Sequence, residues 1–229
     1  MFAHRGIWLP DGDTHFTAHL DRGPMIEGAG TYQYNKFEAA LALCPMDRRR
    51  TALDIGAHIW LWSRVMALHF ATILAYEPVP EHIECFIRNL VIAPNNHPNA
   101  RVSLFPVALG SEDGDVLITR TLDNSGNAHV TVNGHNTNVV RVKMRRLDDY
   151  VLDHHVGIDF IKIDVEGAEL GVIKGAKKYI LQHKPVMLVE QKFGHGQRYG
   201  YSDTAAVDLL QTWGATVKWI KNGDYCLAW

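Results

Sequence analysis

Cysteine is scarce in this chain of 229 residues: Cys44, Cys85 and Cys226 are all it has, far apart and without a CxxC spacing. That excludes a disulfide framework and a cysteine-based zinc knot, and it suits a reducing, cytoplasmic setting. No apolar run approaches the roughly 18 residues of a membrane span. The start, MFAHRGIWLPDGD, lacks the apolar stretch of a secretory leader, so no membrane partner is expected. Charge of one sign is lacking too: 23 basic residues stand against 25 acidic ones. The clusters Arg48-Arg49-Arg50 and Lys143, Arg145, Arg146 read as solvated faces. Without a global basic field, the phosphate attraction that dominates nucleic-acid affinity is missing. Thirteen histidines occur, but no HExxH or comparable ligand spacing, so no metal is expected. The dinucleotide fingerprint GxGxxG is absent as well, which disfavours a nicotinamide-dependent oxidoreductase.

What is present is an alternation of apolar runs and helical spacings. TALDI, ATILAYE, RVSLFPVALG, GIDFIKIDV and PVMLVEQ read as strands. YNKFEAALALC, LWSRVMALHF, PEHIECFIRNLVIA, EGAELGVIKGAKKYILQH and TAAVDLLQTWG read as helices, the last closed by Gly214. ATVKWIK and YCLAW form a final hairpin around Asn222-Gly223. Strands alternating with helices imply an α/β fold, a mostly parallel sheet covered on both faces. One domain is expected over residues 1–229: an irregular cap segment to residue 46, then a core over 47–229 with a hairpin insertion at 110–145.

Ligands of such sheets bind beyond the carboxyl ends of the strands. Three strand ends carry acids in apolar surroundings: Asp54, Glu77 and Asp164. Gly56 opens the loop after the first strand, where a missing side chain lets backbone and ligand approach. Glu77 ends the second strand and suits a two-oxygen grip on ribose hydroxyls. An acid ahead of the loop glycine is a poor neighbour for a pyrophosphate but a good one for a sulfonium or an ammonium. The charge logic therefore favours S-adenosylmethionine over a nicotinamide dinucleotide.

In order, LDIGAHIW, AYEPVPEHIECFIRNL, FPVALGSEDGD, VKMRRLDDY, DFIKIDVEGAEL and PVMLVEQ resemble the FkbM family of S-adenosylmethionine-dependent methyltransferases, over roughly residues 50–192. The resemblance implies a class I methyltransferase (Rossmann-like) fold with seven strands and a reversed final hairpin. It also implies O-methylation of a hydroxyl on a small molecule or sugar. By position, Asp54, Gly56, Ala57 and His58 would form the cofactor loop, Glu77 and Pro78 would hold the ribose, and Val107 and Ala108 would lie near the adenine. Asp164 and Glu166 would face the transferred methyl.

Two positions depart from the family pattern: His58 stands where Asn is common, and Trp60 where a loop glycine is expected. The indole either swings away to pack against Trp62 or the N-terminal segment, or fills cofactor space. In the second case the chain is a cofactor-blocked or non-catalytic relative, and Trp60→Gly restores binding. Ser125 and His129 in the polar 122–138 loop, and His195 in FGHGQRYGY, are candidate acceptor contacts. Trp8, Tyr32 and Tyr34 could close over the cofactor or pack at an edge. Lys162, Asp164, Glu190 and Lys192 could imitate the Lys-Asp-Lys-Glu set of RNA ribose 2′-O-methyltransferases, an alternative the near-neutral charge disfavours. Oligomeric state is not legible.

Overall fold

The computed structural model describes residues 1–92, 100–121, 123–132, 138–150 and 157–229. The N-terminal segment carries strands β1 (Phe2–His4) and β2 (Ile7–Leu9), helix α1 (His15–Arg22), the short pair β3 (Met25–Ile26) and β4 (Ala29–Gly30), and helix α2 (Tyr34–Leu41). The core then alternates: β5 (Thr51–Ile55), α3 (Leu61–Met66), β6 (Thr72–Tyr76), α4 (Pro80–Ile92) and β7 (Arg101–Phe105). Strands β8 (Ala108–Leu109), β9 (Gly114–Thr119), β10 (His129–Val130) and β11 (Val139–Arg145) form a separate small sheet. The alternation resumes with β12 (Ile158–Ile163), α5 (Glu169–Gly175), α6 (Lys177–His183), β13 (Val186–Glu190) and α7 (Ala205–Thr212). It closes on the hairpin β14 (Thr216–Lys221) and β15 (Asp224–Ala228).

The main sheet has seven strands in the order β14-β15-β13-β12-β5-β6-β7. Neighbours from β13 to β7 pair in parallel, and β15 is antiparallel to both β13 and β14. This is the Rossmann-like sheet the resemblance implied, and its order reverses between β5 and β12. Strands β5, β12 and β13 are buried along their whole length, as parallel strands covered on both faces must be.

Alternation along β5 splits the core. Leu53 and Ile55 face a cluster with Ile161, Ile163, Val172 and Ile173, while Ala52 faces one with Phe37, Trp60, Phe86 and Phe160. Asp54 shares the face of Ala52 and is fully buried. At the chain end, Asn222 and Gly223 both adopt positive φ, 51° and 84°, the hairpin geometry that dipeptide favours. No described helix is long and apolar enough to cross a membrane.

Three sequence expectations need correction. The run RVSLFPVALG is two strands: β7 ends before Pro106, and β8 leaves the main sheet to pair with β11. The stretch EGAELGVIKGAKKYILQH is two helices that part at Ala176. A Cβ on Gly175 would stand 1.9 Å from the Gly110 carbonyl oxygen, so α5 ends where it touches the start of the insertion. The N-terminal segment is more ordered than its weak periodicity suggested. Helix α1 buries Phe16 and Leu20 in a satellite core with Ile7, Leu9, Ile59 and Leu61.

Candidate functional site

A pocket opens at the carboxyl ends of β5, β6 and β12, beside the point where the strand order reverses. Gly56, Ala57, His58, Glu77, Pro78, Val107, Ala108, Ser125, His129, Asp164 and Glu166 all line it. Asp54, Trp60 and His195, expected there from sequence, do not. The N-terminal segment supplies His15, Phe16 and Tyr32 to its wall. Trp8 and Tyr34 are spent elsewhere, Trp8 beneath the Arg88 guanidinium at 3.7 Å and Tyr34 beside Phe37.

The loop after β5 is held in a left-handed course. Gly56, His58 and Trp60 have φ of 77°, 53° and 94°, a region that costs an L-residue about 1–2 kcal/mol. At Gly56 the requirement is internal: a Cβ there would lie 1.9 Å from the Asp164 carbonyl oxygen. That glycine lets the β5 and β12 loops touch, whatever else it does for a ligand. Lys162 fixes the same loop by donating to the Gly56 carbonyl at 2.7 Å.

Asp54 acts beneath this loop instead of in the pocket. Its Oδ2 accepts the Ser63 hydroxyl at 2.6 Å and its Oδ1 is 3.4 Å from Lys162 Nζ. Burial raises its pKa, opposed by Lys162 and Ser63. The strand's alternation sends it toward α3, so the carboxylate ties the helix to the sheet.

Trp60 keeps the backbone a glycine would choose but throws its indole away from the pocket. The ring is 0% exposed and stands edge-on to Phe86 of α4, with centroids 5.0 Å apart. It packs between helix and sheet in the cluster that also holds Trp62. The indole swings away, as one of the two expectations had it, although its ring partner is Phe86.

Glu77 is the best-anchored acid of the wall. Oε2 accepts the His58 N–H at 2.8 Å, and Oε1 accepts the Val79 N–H at 3.0 Å and His82 Nδ1–H at 3.1 Å. A carboxylate offers about four lone-pair sites, so one remains, on Oε2. The two-oxygen grip foreseen from sequence therefore shrinks to a single acceptor. His58 is enclosed, and burial, then the neighbouring His82, holds its pKa well below the usual imidazole range. Ser125 donates its hydroxyl to Asp13, so His58 Nε2–H donates to Ser125 Oγ, at 2.7 Å. This chain ties the N-terminal segment and the 123–132 stretch to the cofactor loop. His129 turns its Nδ1–H to the Asn127 carbonyl at 2.8 Å. Residues 122 and 133–137 of the expected acceptor-selecting loop lie outside the described residues.

Across the pocket, five side chains converge. Lys162 Nζ is 3.7 Å from Asp164 Oδ2, and Lys192 Nζ is 2.8 Å from Glu190 Oε1 and 3.8 Å from Glu166 Oε1. Burial pushes Asp164 up, but the Lys162 ammonium beside it outweighs burial and holds the carboxylate low. Glu190 takes the opposite course, raised to about 10 by burial and by Asp164. Both lysines are held above their usual range, because the surrounding carboxylates overcome burial. The Lys-Asp-Lys-Glu set is thus assembled in space. Its ammonium groups, however, are spent on a loop carbonyl and on ion pairs.

Glu166 sits in the turn after β12 at φ 56°. Glu169, which sequence reasoning passed over, holds that turn: its Oε1 accepts the N–H groups of Val165 at 3.2 Å and Gly167 at 2.9 Å. Burial raises its pKa to about 7. Its place three residues after Glu166 was the available signal, since an acid in the first turn of a helix can reach back to the N–H groups before it.

The residues suit S-adenosylmethionine. The pocket offers one open acceptor on a buried carboxylate for a hydroxyl and an apolar wall at Val107, Ala108, Leu109 and Ile118 for a base. It has carboxylates for a cationic centre. The lysines that line the pocket among the described residues, Lys162 and Lys192, are held by carboxylates.

The structure is a Rossmann-like domain with a pocket at the strand switch. The family model described as the methyltransferase FkbM domain matches residues 54–225. The chain belongs to that family, and S-adenosylmethionine is its cofactor. Among curated relatives, "Methyltransferase 1" of Beauveria bassiana is 26% identical over 145 residues, covering 54% of this chain and 57% of the relative. "Methyltransferase sdnD" of Sordaria araneosa is 29% identical over 155 residues, covering 54% and 59%. The chain thus spans less than two thirds of these relatives. Among solved structures, cofactor-bound Rv0187 from MTB superposes with a TM-score of 0.50 at 17% identity, over 92% of this chain and 85% of that one. Methyltransferase FkbM from Methylobacillus flagellatus gives 0.49 at 19%, over 79% and 43%.

Proposed function

We propose that this chain transfers a methyl group from S-adenosylmethionine to a hydroxyl of a small-molecule or sugar acceptor. The observation that carries the proposal is Asp164: a carboxylate at the end of β12, open to the pocket and paired with Lys162. S-adenosylmethionine supplies an electrophilic methyl on a sulfonium. The remaining work is positioning, the main source of acceleration for such a transfer. The open lone pair of Glu77 would take a ribose hydroxyl, and Val107, Ala108 and Ile118 would seat the adenine. Asp164 would accept the proton of the acceptor hydroxyl as its oxygen becomes nucleophilic. Lys162, 3.7 Å from Asp164 Oδ2, would keep that carboxylate in place. Tyr32 and Phe16 would shield the reacting atoms from water.

The experiment is an acceptor screen with methyl-labelled cofactor over hydroxylated small molecules, sugars and a short RNA. The RNA is included because Lys162, Asp164, Glu190 and Lys192 do meet in space. Labelling of sugars or small hydroxylated molecules is expected. With an acceptor in hand, Asp164→Asn should lower kcat by about a hundredfold, the lower end for losing a general base. Affinity for S-adenosylhomocysteine should stay within about threefold, since no step of the proposed cofactor grip uses Asp164. Full turnover in Asp164→Asn would remove this side chain from the chemistry. Labelling of RNA alone would replace the small-molecule acceptor.

A further inference from the structure

Beside the acceptor end of the pocket, two loops press together. A Cβ on Gly167 would meet the His195 carbonyl oxygen at 2.5 Å, and this contact brings His195 against Glu166. His195 Nδ1 and Glu166 Oε2 are 3.1 Å apart. Glu190 closes the group from the end of β13: one ligating atom from each of Glu166, Glu190 and His195 lies within 4.8 Å of the others.

The two oxygens of each glutamate have different surroundings. Lys192 Nζ faces the Oε1 atoms, at 3.8 Å from that of Glu166 and 2.8 Å from that of Glu190. Glu166 Oε2, Glu190 Oε2 and His195 Nδ1 are buried and make no hydrogen bond among the described residues. The Glu166 side chain is only 8% exposed, so water does not satisfy Oε2, whose one near polar neighbour is His195 Nδ1 at 3.1 Å, without hydrogen-bond alignment. Buried polar atoms normally find partners, and those that do not call for an explanation such as a bound ion.

We propose that Glu166, Glu190 and His195 form a site for one divalent transition-metal ion. Two carboxylate oxygens and one imidazole nitrogen suit Mn²⁺ or Zn²⁺ better than Mg²⁺, which prefers oxygen and water. The 3.1 Å between His195 Nδ1 and Glu166 Oε2 is already near the ~3.0–3.4 Å between adjacent ligands on bonds of about 2.1 Å. Glu166 also lines the pocket, so, on the acceptor reading above, an ion held here would lie at the pocket's edge. That geometry favours acceptors offering two neighbouring oxygens, such as a vicinal diol or a hydroxy acid.

The test needs neither an acceptor nor turnover, so it stands apart from the activity proposed above. The full chain, stripped with a chelator, is titrated with Mn²⁺ and followed by electron paramagnetic resonance and by calorimetry. One ion per chain is expected, saturating below about 0.1 mM. Glu166→Gln and His195→Ala should each weaken binding at least tenfold, with the circular dichroism of the parent. Absence of a saturable site below 1 mM would overturn the proposal. So would a site whose affinity survives in the double variant Glu166→Gln/His195→Ala.

Discussion

Trp60→Gly should lose stability and gain no cofactor affinity. The indole is fully buried against Phe86, and truncating such a side chain costs about 3–5 kcal/mol. Glycine recovers about 1–2 kcal/mol by relieving the positive φ. A net loss of about 1–4 kcal/mol follows, which at this chain length lowers the melting temperature by roughly 2–16 °C. Affinity for S-adenosylhomocysteine, measured by calorimetry well below that temperature, should change by less than about threefold, because the ring is not part of the pocket wall. This reverses the expectation that the same change unblocks the site. A tenfold gain in affinity together with unchanged stability would put the indole back in the cofactor's path.

Glu77→Ala carries the second large effect, and it should appear in two measurements at once. The carboxylate arrays the cofactor loop by accepting from His58, Val79 and His82. Its open lone pair is the proposed ribose contact. Removing it should weaken S-adenosylhomocysteine by about 2–4 kcal/mol, thirtyfold or more, at about 1.5–3 kcal/mol per charged hydrogen bond. Part of that loss comes through the loop. The stranded donors should also lower folding stability by about 1–3 kcal/mol. Glu77→Gln keeps the shape but turns an amide toward backbone N–H groups, so it should fall between the two. Unchanged affinity in a folded Glu77→Ala protein would remove this residue from the cofactor grip.

Much of the molecule was legible because its signals are local. Apolar runs of strand length, helical spacings, the Asn222-Gly223 turn and acids at strand ends each depend on a few consecutive residues. With the motif around DFIKIDVEGAEL they determined the seven-stranded fold, the family and the side of the sheet that holds the pocket. Most residues named for the pocket do line it, because a residue at a strand's carboxyl end has few other places to go.

Tertiary structure decided where side chains point and which loops meet. Asp54 and Trp60 belong to the right loop, but pleat and left-handed backbone send both side chains into the layer under α3 and α4. A spacing argument cannot assign that direction. Glu190 and His195 reach Glu166 only because β12 and β13 are neighbours in the sheet and Gly167 lets the following loops touch. Gly175 ends α5 for a similar reason, its approach to Gly110 across the insertion. Sequence alone settles what each segment can form through short-range torsional and hydrophobic preference. The cluster of Glu166, Glu190 and His195 and the buried indole of Trp60 arise from contacts between distant segments, which exist only once the sheet has set its order.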